Sequence, residues 1–142
     1  MDSEFTPHGS HIISSSGNLL TVDAYGPWNR EAAQKYEDKA RKEIKAVLRS
    51  YSQWAMLIRV HGLSIYTPDS IPILQQFHKW RLEQNMHSIA IVCCECEDIS
   101  TVILKNQLKD VYGFSPETPP IEKYFLNKDD ALVWLKEKGF GN

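Results

Sequence analysis

The chain has 142 residues, of which 42% are hydrophobic and 24% charged, with a formal net charge of −2. This fits one globular domain around one core and gives no electrostatic case for nucleic acid or an anionic membrane surface as partner. The longest apolar runs, such as residues 89–94, are too short to span a bilayer, and the acidic, polar start carries no secretory signal. Three crowded cysteines, Cys93, Cys94 and Cys96, argue against a disulfide framework, so the expected location is the cytoplasm.

In chain order, residues 1–10 are aperiodic and expected to form a mobile tail, leaving residues 11–142 as one domain. Residues 11–15 and 19–24 are β-prone runs on either side of Gly17 and Asn18, which suit a tight hairpin turn. Tyr25, Gly26 and Pro27 stop the second run. Asn29 is a plausible N-cap for a helix whose stripe is Ala33, Tyr36, Ala40, Ile44 and Val47. Its two inward alanines mean a close approach to the sheet or room beneath the helix.

Residues 54–60 form a nearly continuous apolar strand, expected to be covered on both faces, and His61-Gly62 ends it. The next helix presents Ile73, Leu74, Phe77 and Trp80 on one face and Gln75, Gln76, Lys79 and Glu83 on the other, with Pro72 in its first turn. Residues 88–93 read as a second buried strand. A third helix starts at Glu97 or Asp98, turns Leu104, Leu108, Val111 and Tyr112 inward and stops at Gly113, before the stiff loop 116–120. Residues 121–126 are a short strand, and Asn127 caps a last helix with Ala131, Leu132 and Leu135 inward. The order ββαβαβαβα predicts an α/β fold. It has a single mixed, mostly parallel sheet with an N-terminal hairpin and about four helices, and right-handed crossovers join the parallel strands.

The strand W-A-M-L-I-R-V, the loop and helix S-I-Y-T-P-D-S-I-P-I-L, the strand S-I-A-I-V-C and the ending Y-F-L-N-K-D-D-A-L-V-W-L carry a resemblance. Over residues 12–136 the chain resembles the STAS domain (sulfate transporter and anti-sigma-factor antagonist), and within it the SpoIIAA-like family. The resemblance implies a regulatory loop at the start of the second helix, where STAS domains carry Asp-Ser-Ser-Gly and a partner kinase phosphorylates a serine. Aligned through Ile71 and Leu74, that turn is Thr67-Pro68-Asp69-Ser70 here, and the phosphorylated position falls on Pro68, which has no hydroxyl. Thr67 and Ser70 are the remaining hydroxyls, and Ser70 reads as a helix cap. The SpoIIAA-like family is also similar in outline to CRAL-TRIO lipid carriers, which implies an apolar cavity between helices and sheet.

No catalytic set stands out. The cysteine cluster lacks the second ligand pair of a structural zinc site, and alternation sends Cys93 and Cys94 to opposite sides of their strand, so neither metal nor cofactor is expected. His61, His78 and His87 show no spacing that pairs them with a carboxylate or a cysteine. The rings are numerous, and Tyr36, Ala40, Trp54, Tyr66, Ile73, Phe77 and Trp80 are the candidate lining of a ligand cavity, weighed against an ordinary packed core. The expected function is a non-enzymatic module that binds a small apolar molecule, a regulatory protein, or both, through the loop 63–70. The alternative is a phosphorylation-regulated signalling domain of the anti-sigma-antagonist type. Trp28 and Phe140, read as exposed, are expected to offer a patch for a homodimer.

Overall fold

Gly17, at φ +60°, lets the chain reverse in two residues, so strands β1 (Ser10–Ser16) and β2 (Leu19–Tyr25) form an antiparallel hairpin. The computed structural model describes residues 9–62, 65–94, 98–112 and 121–141. Strands β3 (Trp54–His61), β4 (Met86–Cys94) and β5 (Glu122–Phe125) each add in parallel to the one before, giving the order β1-β2-β3-β4-β5. Helices α1 (Arg30–Leu48), α2 (Ile71–Glu83) and α3 (Asp98–Tyr112) make the crossovers, and α4 (Lys128–Glu137) follows β5. Among the described residues the architecture is therefore α/β, one mixed five-stranded sheet with four helices, as the sequence predicts.

Right-handed crossovers that step in one direction across a sheet deposit their helices on one face. The buried clusters follow this rule. Leu20, Val22, Met56 and Ile91 pack with the inward residues of α1, α2 and α3. Leu19, Leu57, Ala90 and Val92 pack on the other face with Ala131 and Leu135 of α4 and with Phe140.

Helix α1 buries the stripe read from its sequence, and the Asn29 side chain accepts a hydrogen bond from Ala32 N. Asn127 does the same for α4 through Asp130 N. Helix α2 differs from expectation. It buries Leu74, Phe77, His78 and Arg81, while Ile73 and Trp80 are only partly buried. The buried face is rotated toward two polar residues. Strand β3 is buried on both faces only from Trp54 to Leu57, and Arg59 is partly exposed.

The patch expected at Trp28 and Phe140 is overturned, because both rings are buried in the core. Trp28 Nε1 donates to Tyr25 O at 2.8 Å, and the flanking Gly139 and Gly141, both at positive φ, let Phe140 turn in beneath the sheet. Asn18 holds this last stretch. Its Nδ2 donates to Gly139 O at 3.1 Å, and its Oδ1 accepts from Gly141 N at 3.0 Å. No helix among the described residues is long and apolar enough to cross a membrane.

Residues 1–8 of the expected tail, Leu63 and Ser64, Cys96 and Glu97, and residues 113–120 lie outside the described residues, as do the side chains of Cys94, Leu104 and Tyr112. Replacing Asn18 with Ala removes two hydrogen bonds and leaves the hairpin in place. Urea unfolding of Asn18→Ala is expected to show a loss of about 1–2 kcal/mol with an unchanged m-value.

Candidate functional site

Two loops leave the C-terminal ends of β2 and β3, where α/β sheets place their ligands. They are stitched together by backbone: Trp28 N donates to Ile65 O and Thr67 N to Trp28 O, both at 2.9 Å. The Gln107 amide of α3 completes the ladder as a side chain standing in for a strand. Its Nε2 donates to Tyr66 O at 2.8 Å, and its Oε1 accepts from Tyr66 N at 2.9 Å. Tyr66 is thereby fixed over the interior, edge-on to the Trp28 ring.

Beneath these loops lies a cavity of about 30 Å³. Val22, Ala24 and Ile58 of the sheet form its floor, and Trp28 and Tyr66 stand at the loop end. Tyr36 of α1, Leu74 and Arg81 of α2, and Leu108 and Val111 of α3 form its walls. A second void of about 10 Å³, reaching to Val60 and Ile65, shares Ala24, Trp28 and Tyr66 with the first. Thirty cubic ångströms is about the volume one water occupies in the liquid, whereas sites for drug-sized ligands run to ~300 Å³ or more. The rings fill most of the room that inward Ala33 and Ala40 leave.

Arg81 is the anomaly of this wall. It is 3% exposed, and among the described residues it has no carboxylate within salt-bridge distance. Its Nη1 points at Met56 Sδ (3.0 Å) and its Nη2 lies 3.3 Å from His78 Nδ1. Its guanidinium carbon sits 4.6 Å from the centre of the Phe77 ring, and its Nε has no hydrogen-bond partner among the described residues. Each of these described neighbours is neutral or soft. Burial first, and the Arg81 charge second, push the His78 imidazole down to about 3, so it is neutral at physiological pH. Burial pushes the Tyr36 and Tyr66 hydroxyls up from their ordinary values, with Arg81 acting in the opposite sense on both. They remain protonated donors. His11 lies edge-on to Trp28 and Tyr36 and is likewise shifted down, by burial and then by Lys39 and Lys35.

The opposite face carries a different cluster at the same end of the sheet. The Asp23 carboxylate accepts from Arg59 Nη2 at 2.8 Å, lies 2.7 Å from Arg59 Nε, and meets His61 Nε2 at 2.8 Å. The Tyr25 ring stacks on His61 with centroids 4.6 Å apart. His61 is thus paired with a carboxylate after all. The partner comes from the neighbouring strand through the β2–β3 register, which local spacing does not show. Burial raises the Asp23 carboxyl, but the hydrogen bonds and charges of Arg59 and His61 outweigh it, and the net shift is downward. Cys94 stands opposite His61 in the β3–β4 register. Among the described residues no group of three or more histidines, cysteines or carboxylates could hold a metal ion.

Of the residues read as a ligand lining, Tyr36 and Tyr66 line the cavity. Ala40 is fully buried in the same core, and Phe77 and Trp80 stack between α2 and α1. There the Arg41 guanidinium covers Trp80 at 4.4 Å while pairing with Glu37. Trp54 is sealed at the far end of the sheet, with its Nε1 donating to Gln84 O at 2.8 Å, and Ile73 packs at the margin of the core. In the loop Thr67-Pro68-Asp69-Ser70, residues Pro68–Ser70 form a 3₁₀ turn leading into α2. Ser70 is fully buried and donates to Thr67 O at 2.6 Å. Its side chain does not cap α2, and its hydroxyl is out of reach of a kinase. Thr67 Oγ1 donates to Asp69 Oδ1 at 2.6 Å in an exposed setting, and Pro68 and Asp69 are exposed. Arg81, Trp28 and Asp23 were not among the expected site residues. For Arg81 a signal existed, because residues 74, 77, 78 and 81 follow the i, i+3, i+4, i+7 rhythm of a buried helix face.

No protein-family model matches the chain, and comparison with curated proteins and with solved structures gives no match either.

His78 supplies a pH signature for the interior. An unfolded chain takes up a proton at this imidazole below about 6.5, whereas the fold excludes it down to about 3. Stability should therefore fall as pH drops from 6.5 toward 3. The His78→Gln variant, followed by urea unfolding across that range, is expected to show a shallower fall than the wild type.

Proposed function

We propose that this chain is a SpoIIAA-like, STAS-like, non-enzymatic binding module. It takes a small, mainly apolar molecule between its three-helix layer and its sheet. The element order, with an N-terminal hairpin followed by successive parallel units, supports the family reading. The observation that carries the ligand reading is the pair of voids that meet at Tyr66, under two stitched loops at the C-terminal ends of the strands. As they stand, they total far less than a drug-sized ligand. Uptake therefore requires side chains that line both, Tyr66 among them, to move aside. Trp28 and Tyr36 then offer flat apolar walls. A regulatory protein would meet the same loop, at the exposed Pro68 and Asp69 beside the Thr67 hydroxyl.

Ala24 lines both voids from the floor, so enlarging it fills them from the sheet side. Titration with Nile red, a neutral apolar dye, is expected to show saturable binding to the wild type. Binding should weaken at least ~10-fold in Ala24→Leu, whose circular dichroism should be unchanged. The reading is lost if the wild-type protein binds no dye and an organic extract of the freshly purified protein contains no apolar molecule by mass spectrometry.

A further inference from the structure

We propose that the molecule taken up in this cavity is an apolar monocarboxylate, with its anionic group held by Arg81. The inference rests on the apolar-ligand reading and adds the chemical class of the ligand. An arginine cannot shed its charge by giving up a proton, so a buried one needs an anion or pays with stability. Arg81 is 3% exposed, yet its described neighbours are a thioether, a neutral imidazole and an aromatic face. Its Nε is buried and unpartnered among the described residues, and its side chain forms part of the cavity wall. A carboxylate matches the planar fork of a guanidinium in two parallel hydrogen bonds.

The rest of the wall chooses the remainder of the ligand. Around Arg81 the cavity presents Val22, Ala24, Ile58, Leu108 and Val111, which suit a hydrocarbon or aryl body rather than a sugar or a phosphate ester. Tyr36 and Tyr66 line the same cavity as Arg81 and add two hydroxyl groups to its wall. An acid with an apolar tail therefore satisfies both halves of the site, whereas a neutral lipid leaves the guanidinium as it stands.

The test compares ligands of one length that differ in the head group. Decanoate and decanol are titrated against wild-type protein by Nile red displacement. Decanoate is expected to bind at least ~10-fold more tightly than decanol. In Arg81→Leu the decanoate Kd should rise about 30-fold and the decanol Kd should hold, which erases the preference. The ligand-free variant should melt no lower than the wild type, because an unpaired charge has been exchanged for apolar packing. Equal binding of both ligands to the wild type overturns the acid and leaves the apolar site standing. Displacement by neither overturns the site and the acid together. An Arg81→Leu protein that melts lower and keeps the wild-type preference assigns Arg81 to structure and sinks the proposal. If that variant does not fold, the wild-type comparison of acid with alcohol still decides.

Discussion

Three parallel crossovers that step the same way across a sheet cannot distribute their helices evenly. Helices α1, α2 and α3 are stacked on one face, and among the described residues only α4 and the turned-in Phe140 are left for the other. Most of what is distinctive here follows from that inequality. The crowded face buries Trp28, Tyr36 and Phe77 and narrows the cavity. On the thinly covered face, alternation in β2 brings Asp23 and Tyr25 out beside Arg59 and His61, and a polar cluster can exist there at modest desolvation cost. The two clusters occupy the same end of the sheet, back to back through β2 and β3.

The crowded face holds its charge in an unusual way. Arg81 brings a permanent positive charge into a core whose nearby titratable groups, His78, Tyr36 and Tyr66, are all held neutral, chiefly by burial. A core selected only for stability fills such a position with leucine or methionine. The surrounding contacts soften the cost without removing it, since a ring face, a thioether and an imidazole nitrogen are weak substitutes for a carboxylate. The Asp23 cluster shows the ordinary solution on the opposite face of the same sheet, where the Arg59 guanidinium meets a carboxylate.

The helices and strands were readable because each obeys a local rhythm. Ala33, Tyr36, Ala40, Ile44 and Val47 recur on one side of α1, and the hairpin is announced by Gly17-Asn18. The site was less readable, because its key residues break the link between polarity and exposure. Histidine and arginine at positions 78 and 81 look like solvent-facing residues until their spacing from Leu74 and Phe77 is given more weight than their chemistry. Trp28 and Phe140 sit among prolines, asparagines and glycines, which mark surface loops. Only tertiary contacts reveal that the backbone there turns the rings inward. Asp23 meets His61 across 38 positions of sequence, a pairing set by strand register alone.

The consecutive strand order has one further result for how the molecule comes together. Each strand finds its neighbour immediately before or after it along the chain, so the sheet can grow from short-range encounters. The bonds from Asn18 to Gly139 and Gly141 bridge more than 120 positions and can close only once everything between them has been made. The turn of the β1–β2 hairpin thus waits for a segment far downstream. Until Phe140 and the helix before it have docked, Leu19 and Leu57 lie bare on their face of the sheet, giving chaperones a surface to hold.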